Sequence, residues 1–323
     1  MPRVLITGAA GFIGMHTSIR FLREGWDVVG LDNMNNYYSV GLKRDRLKEI
    51  AGEATKLVHN FNVFEADLNS DVWNELKSYE FEALIHLAAQ AGVRYSLENP
   101  DAYLHSNILG FQKVLEFVER KNITRFVYAS SSSVYGKDSV PPFDESQACD
   151  KPESYYAFTK RSNELMAYSY YKTKELASLG LRFFTVYGPW GRPDMAPILF
   201  ARSADLKSKI KVFNHGNQKR DFTYIDDITE GIFRLISNED FVKDAQVVNI
   251  GHGAPTGLLE FIELIENEMG VTIQKEFVDE QKGDVQVTFA STRKLQALIN
   301  YNPKTPLEEG IQRFIEWFKS YEF

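Results

Sequence analysis

Apolar runs rich in β-branched residues alternate along the first part of this chain with stretches whose apolar positions recur every three or four residues. The runs at 3–7, 27–32, 61–66, 83–89, 125–130 and 181–187 read as buried strands. Helical spacing places helices between them, at about 12–24, 71–79, 100–121 and 154–174. Strands that alternate with helices predict an α/β fold built on a doubly wound parallel sheet. The strict alternation breaks at Gly188-Pro189-Trp190-Gly191-Arg192-Pro193, after which proline and glycine become frequent. A first lobe over 1–184 and a smaller second lobe over 185–323 follow. The segment at about 221–251 again reads as strand, helix and strand, and is expected to return to the first lobe, so that the lobes interleave. A last helix at about 307–320 carries Leu307, Ile311, Phe314, Ile315 and Phe318 on one stripe, which reads as core packing.

Composition narrows the partners. The 323 residues suffice for a sheet domain and a smaller lobe. Net charge is −7, and the largest basic cluster, Lys43-Arg44-Asp45-Arg46-Leu47-Lys48, is short and interrupted. It reads as a solvated helix face, and no nucleic-acid partner is expected. An anionic ligand would have to be met by local arginines and helix ends, because the overall field opposes it. Cys149 is the only cysteine, so an intrachain disulfide is excluded, and it reads as an incidental loop residue. The six histidines show no metal-ligand spacing, and no metal is expected. The first strand follows Met1-Pro2 directly, without a basic-then-apolar leader, and no apolar stretch approaches twenty residues. A soluble, cytoplasmic protein without a membrane partner is the expectation.

The first strand and first helix are joined by Gly8-Ala9-Ala10-Gly11-Phe12-Ile13-Gly14. A strand that turns on glycines into a helix leaves unpaired N–H groups and a positive dipole end at one spot, where a pyrophosphate can sit. Eighteen residues past Gly14 a second apolar run ends in Asp32, where a ribose-binding acid is expected. Its carboxylate can accept from a ribose 2′-hydroxyl and would repel a 2′-phosphate, so the cofactor reads as NAD rather than NADP.

Tyr156 and Lys160 stand four residues apart in a helical stretch, on one face. A free phenol has a pKa of about 10, and a neighbouring ammonium is expected to lower it towards working pH. Tyr155 is a competing phenol one place off that spacing. A strand ending in Ser130-Ser131-Ser132-Ser133-Val134-Tyr135-Gly136 precedes them, and ligands of such sheets bind beyond the carboxyl ends of the strands.

These segments, with His86-Leu87-Ala88-Ala89 ending a strand and Asn107-Ile108-Leu109-Gly110 on a helix, resemble the extended short-chain dehydrogenase/reductase superfamily, whose glycine spacing is G-x-x-G-x-x-G. The resemblance implies a Rossmann-type NAD-binding domain and a UDP-sugar-binding second domain. Tyr156 would be the base and acid, Ser131 the donor that orients the sugar hydroxyl, and Lys160 the cation and ribose contact. Gly8, Gly11, Phe12, Ile13, Gly14, Asp32, Asn33, Asp67, Leu68, Leu87, Ala88, Ala89, Tyr156 and Lys160 would hold NAD. Dehydratases of this superfamily carry Asp-Glu after the equivalent of Ser131, and UDP-glucuronate decarboxylases carry Glu at the place of Ser133. Ser132-Ser133 here leaves reversible oxidation alone.

Further stretches are similar to UDP-glucuronate 4-epimerases. They are Leu31-Asp32-Asn33 with Tyr37-Tyr38 and Leu42-Lys43, Ala91 to Ser96, Arg182 to Ala196, and Lys219 to Asp227. UDP-glucose 4-epimerases have Asn where Thr185 stands. The similarity implies that Arg94, Ser131, Ser132, Ser133, Thr185 and Arg192 face the sugar. Val212 and Phe213 would lie near the uracil, and Arg220, Gln281 and Asp284 near the diphosphate and ribose. Gln281 departs from the Arg that glucose-type epimerases use. A pairing of Arg220 with Asp226, or of Arg192 with Asp194, remains the plainer reading of those arginines. The activity implied is C4 epimerisation of UDP-glucuronate to UDP-galacturonate through a 4-keto sugar. NAD would stay tightly bound and be regenerated in each cycle, and helices 100–121 and 154–174 would pair across a homodimer. Oxidising C4 creates a β-keto acid, so Arg192 and Thr185 would have to grip the carboxylate off the axis along which CO₂ leaves. Another UDP-sugar 4-epimerase, and a non-catalytic NAD sensor, are the alternatives; a sensor has no use for Tyr156, Lys160 and Ser131 together.

Overall fold

The computed structural model describes residues 1–280 and 285–322. Seven parallel strands form the central sheet: β1 (Arg3–Thr7), β2 (Asp27–Asp32), β3 (Phe61–Glu65), β4 (Ala83–His86), β5 (Arg125–Ser131), β6 (Ser178–Phe183) and β7 (Ala245–Ile250), in the order β7-β6-β5-β4-β1-β2-β3. Alternate side chains enter opposite layers, as a two-residue period requires. Val4, Ile6, Val28, Ile85 and Val127 pack on one face, and Leu5, Val29, Leu84, Phe126 and Tyr128 on the other. The order reverses between β1 and β4, so the loops after these two strands diverge and open a crevice. The helices α1 (Phe12–Arg23), α2 (Val40–Leu57), α3 (Gly110–Lys121), α4 (Tyr155–Lys174) and α5 (Ile225–Ser237) are those that matter for the site. The segment 225–250 supplies α5, packed against α1, and β7, which pairs with β6.

Several expectations need correction. The run 181–187 is two strands: at Phe184 the chain leaves β7, and Thr185–Tyr187 pairs with Phe222–Tyr224 instead. The run 83–89 ends at His86: beyond Leu87 the Ala88 N–H turns to the Thr7 hydroxyl (3.3 Å), and the Asn107 side chain takes the N–H (2.8 Å) and C=O (3.0 Å) of Gln90, so the chain continues as a loop. Helix 100–121 is broken into Pro100–Tyr103, a π-helical turn over Leu104–Leu109, and α3. Helix α2, whose apolar positions are few, escaped the periodicity. Its basic cluster is a solvated face only in part: Arg44 and Lys48 are exposed, whereas Lys43 and Arg46 are buried. Cys149 is likewise buried, against Val134, Tyr135, Phe143, Phe184 and Ala290, and burial pushes its thiol up.

One ion pair ties the layers beneath the crevice. Glu164 on α4 receives Nε and Nη2 of Arg182 on β6 at 2.8 and 2.9 Å, with the Ser130 hydroxyl of β5 at 2.6 Å. Both charged side chains are 2% exposed. Burial opposes the carboxylate, yet Arg182 and Ser130 hold it below the usual range. Glu164 therefore adds stability that is complete above the unfolded carboxylate pKa of about 4.3 and is lost as pH falls through the lower folded value. Glu164→Ala would leave Arg182 buried and uncompensated, a loss of about 3–5 kcal/mol. Calorimetry should show a lowered melting temperature together with a shallower decline towards acid pH.

Candidate active site

Helix α1 begins one turn after β1, and the glycines there are demanded by space. A Cβ on Gly14 would stand 2.0 Å from the carbonyl oxygen of Gly8, and Gly8 has φ +74°, a left-handed conformation natural to glycine. The free N–H groups of α1 consequently face the crevice, with Gly8, Gly11, Phe12, Ile13 and Gly14 all lining one cavity of about 910 Å³. Asp32 ends β2 on its rim and accepts from the backbone N–H of Ala10 (3.1 Å) and Met34 (2.9 Å). Burial raises its pKa against the pull of Lys43 and these two donors. Asn33 donates to Asp67 at 3.0 Å, and His105 and Asn69 complete the ring around that carboxylate. Leu68, Leu87, Ala88 and Ala89 supply apolar walls. Glycine turn, ribose acid and apolar slot together fit a dinucleotide.

The opposite half of the cavity holds Ser131, Ser132, Ser133, Tyr156 and Lys160. The backbone N–H and hydroxyl of Ser133 both donate to Ser131 Oγ, at 3.2 and 2.9 Å. With its lone pairs engaged, Ser131 has its own proton to offer to the cavity, where the Tyr156 phenol lies close enough for Ser131 to lower its pKa. Burial raises Tyr156, while the Ser131 hydrogen bond and the charge of Arg192 pull it back. The expected lowering by Lys160 is not what the structure shows. The ammonium turns to the Ala129 carbonyl at 2.8 Å, and burial lowers its own pKa to about 8.

From the chain beyond β6 come Thr185, Arg192, Phe213 and Arg220, with Arg94 stacked over the Phe213 ring at 5.1 Å. Val212 is separated from them: it is fully buried, with its carbonyl bonded to Val278 N. Gln281 and Asp284 lie outside the described residues. Arg220 donates to the carbonyls of Lys219 and Gln286, and Asp226 pairs with Arg313. The plainer reading of Arg192 is present, because its Nε and Nη2 grip both oxygens of Asp194 at 3.1 and 2.5 Å, and Tyr37 donates to the same carboxylate. Burial opposes the guanidinium charge and Asp194 more than restores it. Tyr37, Tyr38 and Lys43, which the resemblance names without a role, also line the cavity, as does Asn35, which the sequence does not single out. The buried stripe of α2 that brings Lys43 to the site, Leu42, Arg46, Ile50 and Ala54, is broken by the charge of Arg46 and so gives little apolar signal.

The description of the NAD dependent epimerase/dehydratase family matches residues 4–251, and the chain belongs to that family. Protein CapI of Staphylococcus aureus is 44% identical, with 99% of each chain covered. A probable UDP-glucuronate 4-epimerase of Rhizobium meliloti is 42% identical over 98% of this chain and 96% of its own. Among solved structures, the UDP-glucuronic acid 4-epimerase of Bacillus cereus in complex with UDP-glucuronic acid and NAD superposes with a TM-score of 0.89 at 32% identity, covering 98% of this chain and 99% of its own.

Asp32→Ala would remove the carboxylate placed to accept from a ribose, together with its backbone bonds to Ala10 in the glycine turn and to Met34 just after β2. Titration should show weaker NAD binding and a reduced preference over NADP; an unchanged preference would assign the discrimination to another residue.

Proposed function

We propose that this enzyme interconverts UDP-glucuronate and UDP-galacturonate by NAD-dependent epimerisation at C4. The observation that carries this reading is the meeting, in one cavity, of the glycine turn, the Ser131–Tyr156 pair and the second-lobe residues Thr185 and Arg192. The names of the relatives, and the UDP-glucuronic acid and NAD held by the Bacillus cereus enzyme, support the same substrate class. NAD, when bound, supplies the hydride acceptor and donor together with a cationic ring. Tyr156 would take the proton of the C4 hydroxyl and later return it, with Ser131 donating to the sugar oxygen. The 4-keto sugar would rotate between the two transfers and present its other face. Thr185 and Arg192 would hold the carboxylate, Arg192 being braced from behind by Asp194.

Incubation with UDP-glucuronate and, separately, UDP-glucose, followed by chromatography, tests the substrate: UDP-galacturonate should form from the first and little UDP-galactose from the second. Tyr156→Phe should retain NAD and lose about 10²–10⁴-fold in turnover; near-normal turnover would remove Tyr156 from its role.

The homodimer is proposed on a surface argument. The π-turn and α4 expose Leu104, Leu109, Phe158, Leu165 and Tyr168, a concentration of apolar residues that a second copy of the same helices would cover. Sedimentation should give a dimer that Leu109→Asp with Leu165→Asp converts to a monomer.

A further inference from the structure

Arg46 on α2 is fully buried, and all five of its N–H groups are used. Nε donates to the Trp190 carbonyl at 3.1 Å, and Nη2 to the carbonyls of Trp190 and Gly191 at 2.6 and 3.1 Å. Nη1 donates to the Ala10 carbonyl at 3.0 Å and to the Tyr38 hydroxyl at 2.7 Å. None of these acceptors is charged, which is an expensive arrangement for a guanidinium unless its geometry is needed. The acceptors come from two places that carry different halves of the site. Ala10 lies within the glycine turn, and Trp190 and Gly191 lead directly into Arg192. Trp190 moreover has φ +62°, a left-handed backbone that a bulky residue adopts only when its surroundings hold it there. Two of the five Arg46 bonds end on the carbonyl of that residue. His16 on α1, kept neutral by burial with a pKa lowered to about 4, adds a bond from Nε2 to the Pro189 carbonyl at 3.0 Å.

We propose that Arg46 is a positioning residue: it locks the left-handed Trp190 against the glycine turn and so fixes where Arg192 points relative to the bound cofactor. The inference rests on the epimerase reading above, because the aim of Arg192 matters most when the sugar carries a carboxylate. If Arg192 holds that group poorly, the C5–carboxylate bond of the 4-keto sugar can align with the carbonyl. The bond then breaks with its electron pair passing to the C4 oxygen, CO₂ leaves, and C5 takes a proton. Returned hydride yields a UDP-pentose, which mass spectrometry detects.

The test uses the NAD-loaded enzyme. Arg46→Lys keeps the charge without the fork, and Tyr38→Phe removes one acceptor without opening the core; Arg192→His serves as the comparator. The NAD released on denaturation, kcat, KM and the pentose fraction are measured for each, with hydrogen exchange of the 188–196 backbone on the same samples. Arg46→Lys should retain its NAD, lose about 10–100-fold in kcat, raise the pentose fraction in the direction of Arg192→His, and exchange faster over 188–196 while Leu258–Met269 is unchanged. Tyr38→Phe should shift the same quantities less. Kinetics per bound NAD and a product ratio equal to wild type would overturn the proposal, as would unaltered exchange over 188–196 in both variants. A wild-type enzyme that leaves UDP-glucuronate untouched would instead overturn the epimerase reading, and the exchange measurement would still decide whether Arg46 holds the loop.

Discussion

The packing of Gly14 against the Gly8 carbonyl, so tight that an added Cβ would stand 2.0 Å from the oxygen, sets where the cofactor crevice opens above the sheet. Because no side chain fits between them, α1 starts hard against β1 and its free N–H groups open into the crevice rather than into the core. The turn is held from three sides: Asp32 binds the Ala10 N–H, Arg46 binds the Ala10 carbonyl, and Gly8 N donates to the Leu31 carbonyl at 2.7 Å. The same few atoms thus link the second strand, the second helix and the loop leading to Arg192.

Three cations buried around this floor are accommodated in three ways. Arg182 has a carboxylate, two matched hydrogen bonds and the face of Tyr135 at 4.7 Å. Arg46 has neutral oxygens only. Lys160 has one carbonyl, and burial eases it towards the neutral amine. The gradient runs from a fixed structural charge to one that can change, and the changeable one lies within the cavity beside the phenol.

Legibility in the sequence followed the range of the interaction. The strands, α1, α4 and the glycine turn depend on near neighbours, so apolar period and glycine spacing revealed them. The break at Phe184 was hidden because the residues on both sides are equally apolar, and only the competition between β7 and Phe222–Tyr224 divides them. Arg46 was misread for a related reason: charge composition describes water-facing positions, and nothing local announces that carbonyls of the Trp190 turn will come to meet a guanidinium. Tyr156 and Lys160 stood out by spacing and Ser131 by the family resemblance, whereas the direction of the Lys160 ammonium is set by the Ala129 carbonyl, which neither encodes.

The π-turn at Leu104–Leu109 contains, in effect, one residue more than an α-helix would need. Within it Asn107 spans three elements: its side chain holds the loop after β4 and the Thr159 hydroxyl, and its carbonyl accepts from Asn163 at 2.6 Å. Removing one residue from this turn would let the helix run through without interruption. Every later side chain of the segment would then rotate by about a quarter turn or more about the axis, since an α-helix advances roughly 100° per residue. The extra residue therefore acts as a phase shifter, setting the apolar face that the helix offers outward independently of the polar grip that it keeps on the cavity wall.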